Sequence, residues 1–385
     1  MSLDKKNNNI NLKKSYLLVD SSYVSFHRFF STLIWYNNMY PDQEICDDYE
    51  WVENEIFMKH FDESYMKNLL KFKNMYNVPF ENMIIVRDCP RETIWRMNIF
   101  REYKATRKNT CNYKNKKFSV GNIFKHIYNN LYPKLEEQYK FKIIKVENAE
   151  ADDVIAVLTN RIREIDKSRL VVIISNDNDY LQLVNEKTLI WSLQNKLLNT
   201  KVEISAEEIL LKKILKGDES DNIPSIVGHM SDKDLMEIIK DKVKLDKWLN
   251  VNTERKNMFL ENQKLIDFKF IPEEIKNAVL KECNEFLPVI DSENKKPEIK
   301  EEVEEVIKIK AKIIINDPKI IHNQNIPPKV RNISKTFISN FANYRNYGNP
   351  HHHKQVAMSN AFFQNRYKNR SINFATEDYY IYGGL

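Results

Sequence analysis

The chain has 385 residues, 42% hydrophobic and 11% aromatic, enough for a sizeable core and for two domains. A net charge of +6 and a pI near 8.8 suit a phosphate-bearing partner without singling one out. The four cysteines, Cys46, Cys89, Cys111 and Cys283, form no CxxC pair, which argues against a zinc site or a disulfide framework and for a reducing compartment.

The N-terminal stretch "MSLDKKNNNINLKK" is polar and lacks an apolar signal core. No apolar run approaches the length of a membrane span. A soluble intracellular protein with no membrane partner is therefore expected, in the cytoplasm, the nucleoid or a viral replication site. Residues 1–13 read as a tail. "SYLLVD" then gives a short apolar run ending at Asp20, "NMIIVRD" a second ending at Asp88, and "RLVVIISNDND" one ending at Asp177 and Asp179. Phe141–Val146 is a fourth. Continuous apolar character rather than alternation predicts parallel strands buried on both faces. Tyr65–Asn77, Gly121–Gln138 and Asp152–Ile165 read as helices between them, so residues 14–205 are expected to form an α/β domain. Trp51–Asn77 lengthens the first crossover and carries an acidic helical stretch. From about 206 to 285 the pattern is helical. A charged linker and an Asn- and Tyr-rich tail, expected to be poorly ordered, occupy 286–385; Tyr344, Tyr347, Phe362, Phe363 and Tyr367 could stack on bases there, and His351–His353 reads as a solvated loop.

Open α/β sheets carry their sites at the carboxyl ends of strands, and three strands here deliver acids to that edge. Each one alone is a common turn residue. "EADD" adds Glu150, Asp152 and Asp153 at a helix start, where acids are also favoured by the free N–H groups. "GDESDN" adds Asp218 and Asp221, so the set is Asp20, Asp88, Glu150, Asp152, Asp153, Asp177, Asp179, Asp218 and Asp221. Two carboxylates ~5 Å apart at an effective dielectric near 20 repel by roughly 3 kcal/mol, so gathering these acids requires cations. Oxygen ligands without His or Cys favour Mg²⁺ or Mn²⁺, and a pair of such ions is a recurring device for phosphodiester hydrolysis.

Downstream of Asp88, "TIWRMNIFREYKATRKNTCNYKNKK" clusters Arg96, Arg101, Lys104, Arg107, Lys108, Lys114, Lys116 and Lys117 around Tyr103 and Tyr113. Next to an acid pocket such cations suit an approaching phosphate, and Tyr103 could stack on a base or sugar. Away from one they would be a solvated basic helix.

These blocks, in order, resemble the 5′→3′ exonuclease and flap endonuclease family, in particular the 5′-nuclease domain of bacterial DNA polymerase I and its phage relatives. "LLVDSS" is similar to the family's first strand; "RDCPRETIWR" with "YKATR" is similar to its second acid and arch motif; "EADD", "SNDNDYLQLV" and "GDESDNIP" are similar to its remaining acid blocks. The resemblance spans about residues 14–285. It implies a mainly parallel central sheet flanked by helices (PIN-like), a helical arch over about 96–125, and a helical helix–turn–helix DNA-binding subdomain over 206–285. It also implies two metal ions. Asp20, Asp88, Glu150 and Asp152 would surround the nearer one; Asp153, Asp177, Asp179, Asp218 and Asp221 would hold the second or its waters. Arg96, Tyr103, Lys104 and Arg107 would act from the arch on the scissile phosphate. DNA with a 5′ flap, nick or gap is the implied substrate, with RNA primers or a silent binding protein as alternatives. No polymerase pattern follows, so a separate polymerase is the expected partner. The family's glycine-rich turn, which implies a K⁺ site and a grip on duplex, reads "PSIVGHM" here and keeps only Gly228, with Asp232 and Asp234 adding negative charge beyond it.

Overall fold

The structure is a computed structural model and describes residues 15–107, 110–201, 205–283 and 287. The expected N-terminal tail, the tail aromatics, His351–His353 and Lys108 lie outside the described residues.

Strand β1 (Tyr16–Asp20) runs straight into helix α1 (Ser21–Met39), and Asp20 caps that helix by accepting the Tyr23 N–H at 3.0 Å. The sequence had not marked α1, whose first turns are Ser, Tyr, Val and Phe with no charge. Helix α2 (Glu55–Met75) follows, capped by Asn54, and leads to β2 (Met83–Arg87).

The segment expected as a helical arch is corrected by the structure. It begins with a 3₁₀ turn, Trp95–Asn98, continues in tight turns to Arg107, and then forms an antiparallel hairpin of β3 (Thr110–Tyr113) and β4 (Lys116–Ser119). Lys114 and Asn115 both have positive φ, 49° and 63°, as a two-residue hairpin turn demands. Cys111 and Phe118 face each other across the strands and bury one face, while Lys116 and Lys117 stay exposed. Burying alternate residues, a period of two, overrides the basic-helix reading. Helix proper resumes only at α3 (Gly121–His126), which passes through one wide turn into α4 (Tyr132–Tyr139).

Next come β5 (Lys142–Lys145), α5 (Ala151–Ile165), β6 (Val171–Ile174) and β7 (Thr188–Trp191). The strand order is β5-β2-β1-β6-β7, with every neighbouring pair parallel. Leu17, Val19, Met83, Ile85, Val172 and Ile174 bury one face of the sheet against α1 and α2. Tyr16, Leu18, Ile84, Val86, Val171 and Ile173 bury the other against α5. The expected sheet covered on both faces is what the chain forms, with β7 as a fifth strand that the sequence had not marked.

Helices α6 (Ala206–Lys216), α7 (Asp232–Lys240), α8 (Lys242–Asn250), α9 (Thr253–Ile266) and α10 (Glu273–Cys283) complete the described chain. Helix α10 returns to the sheet, and its Ile275, Val279 and Cys283 join the α5 core. Gly217 ends α6 at φ +70°, and a Cβ there would lie 2.3 Å from the Ile223 carbonyl oxygen. In the altered turn, Ile226, Val227 and Met230 pack against Leu215, Leu235 and Ile239, so Met230 serves as an apolar anchor. Asp232 does not stand as an open negative charge, because Lys212 reaches it at 3.0 Å and Lys216 at 2.5 Å.

Candidate active site

Sheet topology fixes where the acids meet. Strand β1 lies between β2 and β6, so Asp20, Asp88 and Asp177 emerge side by side at the carboxyl edge, where the chain's crossovers diverge. The N-terminus of α5 adds Glu150 and Asp152. These five carboxylates line one cavity of about 60 Å³, together with Arg91, Lys104, Arg107, Cys89 and Tyr180. That volume suits ions and waters, not a nucleotide.

Each acid is held. The Ser175 hydroxyl donates to Asp20 Oδ2 at 3.1 Å and the Tyr180 hydroxyl at 3.3 Å. Asp88 accepts Ser22 Oγ at 2.5 Å and the Ala151 N–H at 2.8 Å. Burial, reinforced by Asp88 and Asp177, pushes the Asp20 carboxyl up to about 7. Burial would also raise Glu150, but Lys104 and Arg96 hold it below the usual range.

Asp153 is not a pocket acid. It is fully buried, and both its oxygens accept from the Arg96 guanidinium at 2.8 and 2.9 Å, with Trp95 Nε1 at 2.8 Å. It also closes a capping box with Glu150. Arg96, only 2% exposed, further bonds Glu150 at 2.8 Å and the Leu265 carbonyl at 2.8 Å. Tyr103 is likewise 2% exposed, and its hydroxyl donates to Glu150 at 2.9 Å and Asp221 at 3.0 Å. The expectation that Arg96 and Tyr103 meet the substrate is thus corrected: the buried carboxylates have drawn both side chains inward, and no open face of Tyr103 remains for a base.

Lys104 and Arg107 do line the cavity. Lys104 pairs with Glu150 and Arg107 with Asp221. Lys104 sits at φ +56°, a costly conformation for a side-chain-bearing residue, fixed by its N–H on the Asp221 carbonyl and its own carbonyl on Arg91.

The remaining acids form a second group. Asp179, Asp218 and Asp221 bring ligand atoms within 4.8 Å of one another, as do Glu150, Asp152 and Asp153. Asp177 and Asp179 part company, because the chain turns into a 3₁₀ helix at Asn178 instead of continuing extended. Lys213 of α6 enters the second group, pairing with Asp179 and with Asp218 at 2.7 Å. Burial raises the Asp179 carboxyl to about 7 even so, with Asp177 and Asp218 adding to the effect. Burial would also raise Asp221, but Lys104, Arg107 and Lys213 hold it far below the usual range. Sequence reasoning missed Ser22, Ser175, Tyr180 and Lys213. The first two adjoin the acid blocks and Tyr180 follows Asp179, so adjacency was the available signal; Lys213, in a Lys-Lys pair on a helix, gave none.

The cavity's donor set fits a hard divalent cation. Its acids offer carboxylate oxygens, the donors that Mg²⁺ and Mn²⁺ take, and no histidine is among the described residues lining it.

A pH dependence follows. Asp20 and Asp179 have folded-state values raised from 3.8 to about 7, so the folded chain binds more protons than the unfolded one across that interval. Their contribution to stability is present at low pH and is lost as pH rises through 7. His27, lowered from 6.5 to about 4 mainly by burial, acts oppositely between those values. The net expectation without divalent ions is a falling melting temperature from about pH 6.5 to 8. Asp20→Asn should flatten the slope; an unchanged slope in that variant would overturn the assignment.

Among the described residues, no helix is long and apolar enough to cross a membrane. The family model described as 5′-3′ exonuclease, N-terminal resolvase-like domain, matches residues 15–214, just over half of the chain. The chain is 28% identical over 162 residues to the 5′-3′ exonuclease of Buchnera aphidicola subsp. Acyrthosiphon pisum, covering 40% of this chain. The chain spans about half the length of that relative, 50% of it being matched. Over 238 residues it is 26% identical to the ribonuclease H of Enterobacteria phage T4, covering 57% of this chain and 75% of that one. Among solved structures, the T5 D15 protein co-crystallized with metal ions aligns with a TM-score of 0.49 at 17% identity, covering 71% of this chain and 100% of that chain.

Proposed function

The chain belongs to the 5′-3′ exonuclease family, and on that premise we propose that it is a divalent-metal-dependent 5′ nuclease acting on DNA with a 5′ end, flap, nick or gap. The observation that carries this reading is the single cavity in which five carboxylates face Lys104 and Arg107. Asp20, Asp88, Glu150, Asp152 and Asp177 would hold Mg²⁺ or Mn²⁺. Asp179, Asp218 and Asp221 would take a second ion, for which Lys213 and Arg107 would have to give way. Bound there, divalent ions supply charge neutralisation and water activation at neutral pH.

The chain's own residues do the rest. Lys104 and Arg107, released from Glu150 and Asp221 as metal charge replaces theirs, would bind the non-bridging oxygens of the scissile phosphate. The product would carry a 5′-phosphate. The helices from α6 to α9, with their turn at Gly228, would grip duplex, and replication or repair beside a separate polymerase is the proposed setting. A second reading, hydrolysis of RNA in primers, is favoured by the match to 75% of a protein named ribonuclease H.

The test is a panel of flap, nick and gap substrates in DNA and RNA versions, each with Mg²⁺, Mn²⁺ or EDTA. The expected result is cleavage only with the ions, leaving 5′-phosphate ends, with the RNA arm deciding the second reading. Cleavage that persisted in EDTA, or none with either ion, would sink the proposal.

A further inference from the structure

Asp20 accepts three hydrogen bonds, all from uncharged donors, and its partners come from two directions. A carboxylate has about four lone-pair sites. On Asp20, Oδ1 accepts the Tyr23 N–H at 3.0 Å. Oδ2 accepts both the Ser175 hydroxyl at 3.1 Å and the Tyr180 hydroxyl at 3.3 Å, which fills that oxygen. One lone pair, on Oδ1, is left to face the cavity. Asp88 differs, since each of its oxygens accepts one donor and keeps one site open. Neither hydroxyl on Oδ2 is accidental. Ser175 is buried and its Oγ also accepts the Asp177 N–H at 3.2 Å, so it spans two acids of the pocket. Tyr180 is buried with its ring against Phe268, centroids 6.4 Å apart, which aims the hydroxyl at Asp20.

We propose that Tyr180 and Ser175 are selectivity-determining positioning residues: by saturating one oxygen of Asp20 they make it a one-oxygen ligand, and so favour small octahedral cations over Ca²⁺. The inference rests on the reading of the cavity as a metal centre. Mg²⁺ and Mn²⁺ accept single oxygens in near-octahedral sets, whereas Ca²⁺ gathers six to eight oxygens and gains from two-oxygen carboxylates. Freeing Oδ2 gives Ca²⁺ the second oxygen that it can use and the smaller ions cannot. Outer partners of this kind typically change metal affinity by ~10–100-fold when lost.

The test uses the full-length chain and reads Mn²⁺ binding by electron paramagnetic resonance, with Ca²⁺ as the competitor. In Tyr180→Phe the ring and its packing are kept, and Ca²⁺ should displace Mn²⁺ roughly tenfold more effectively than in the unmodified chain. Ser175→Ala should shift the ratio in the same direction. Asp20→Asn should weaken Mn²⁺ binding, and at Mn²⁺ concentrations that restore occupancy, adding Tyr180→Phe should leave the ratio where Asp20→Asn put it. A purely structural tyrosine would lower the melting temperature and leave the Mn²⁺/Ca²⁺ ratio alone, and that outcome overturns the inference while the metal centre stands. Absence of any Mn²⁺ binding dependent on Asp20 would overturn both.

Discussion

Arg96→Leu is expected to destabilise the folded chain by about 3–5 kcal/mol, the usual cost of removing one partner from a buried ion pair. Arg96 is 2% exposed, and its guanidinium makes four hydrogen bonds, to Leu265, Glu150 and both oxygens of Asp153. Without it, Asp153 keeps Trp95 Nε1 and the Glu150 N–H but loses its only opposite charge among the described residues. A melting temperature lower by on the order of 10 °C should follow, given ~2–4 °C per kcal/mol for folded units of about 150–250 residues. Pairing it with Asp153→Leu should recover part of the loss, since no buried charge is then stranded. A melting temperature within about 2 °C of the unmodified chain would show that water or a neighbour replaces the guanidinium.

Asp88→Asn should leave the fold intact and lower divalent-dependent cleavage by on the order of 100-fold or more. Outer partners of metal ligands already cost ~10–100-fold when lost, so a direct ligand should cost at least the upper end. The amide keeps the carboxylate's shape, and its oxygen can still take the Ala151 N–H now 2.8 Å away. The pocket loses one negative charge, so binding of a 5′-flap oligonucleotide in EDTA should hold or tighten. Cleavage within tenfold of the unmodified chain would remove Asp88 from the proposed ligand set.

The strands carrying Asp20, Asp88 and Asp177 were legible because four- and five-residue apolar runs are what a sheet buried on both faces requires, and each ended in an acid. The sequence could not tell which acids look into the cavity. Glu150, Asp152 and Asp153 share one helix start, yet Asp153 turns to Arg96, whose guanidinium is also held by the Leu265 carbonyl, 169 positions further along the chain. The hairpin was hidden by its lysines: in "TCNYKNKKFS" the buried partners Cys111 and Phe118 are two residues among ten, and the charge count drew attention away from their spacing. Burial of Tyr103 was equally invisible, because a tyrosine amid basic residues reads the same whether its ring meets a base or its hydroxyl meets Glu150.

The Arg96–Leu265 bond joins residues 169 positions apart. A ribosome adding roughly 5–20 residues per second needs on the order of 10–30 s to travel from one to the other. Throughout that interval the strand ends bearing Asp20 and Asp88 have already been made, while the clasp that settles Glu150 and Asp153 has no carbonyl to close on. A nascent chain is therefore expected to leave one arm of the Arg96 clasp open until its α9 helix has emerged, a built-in delay between synthesis of the acids and their final fixing.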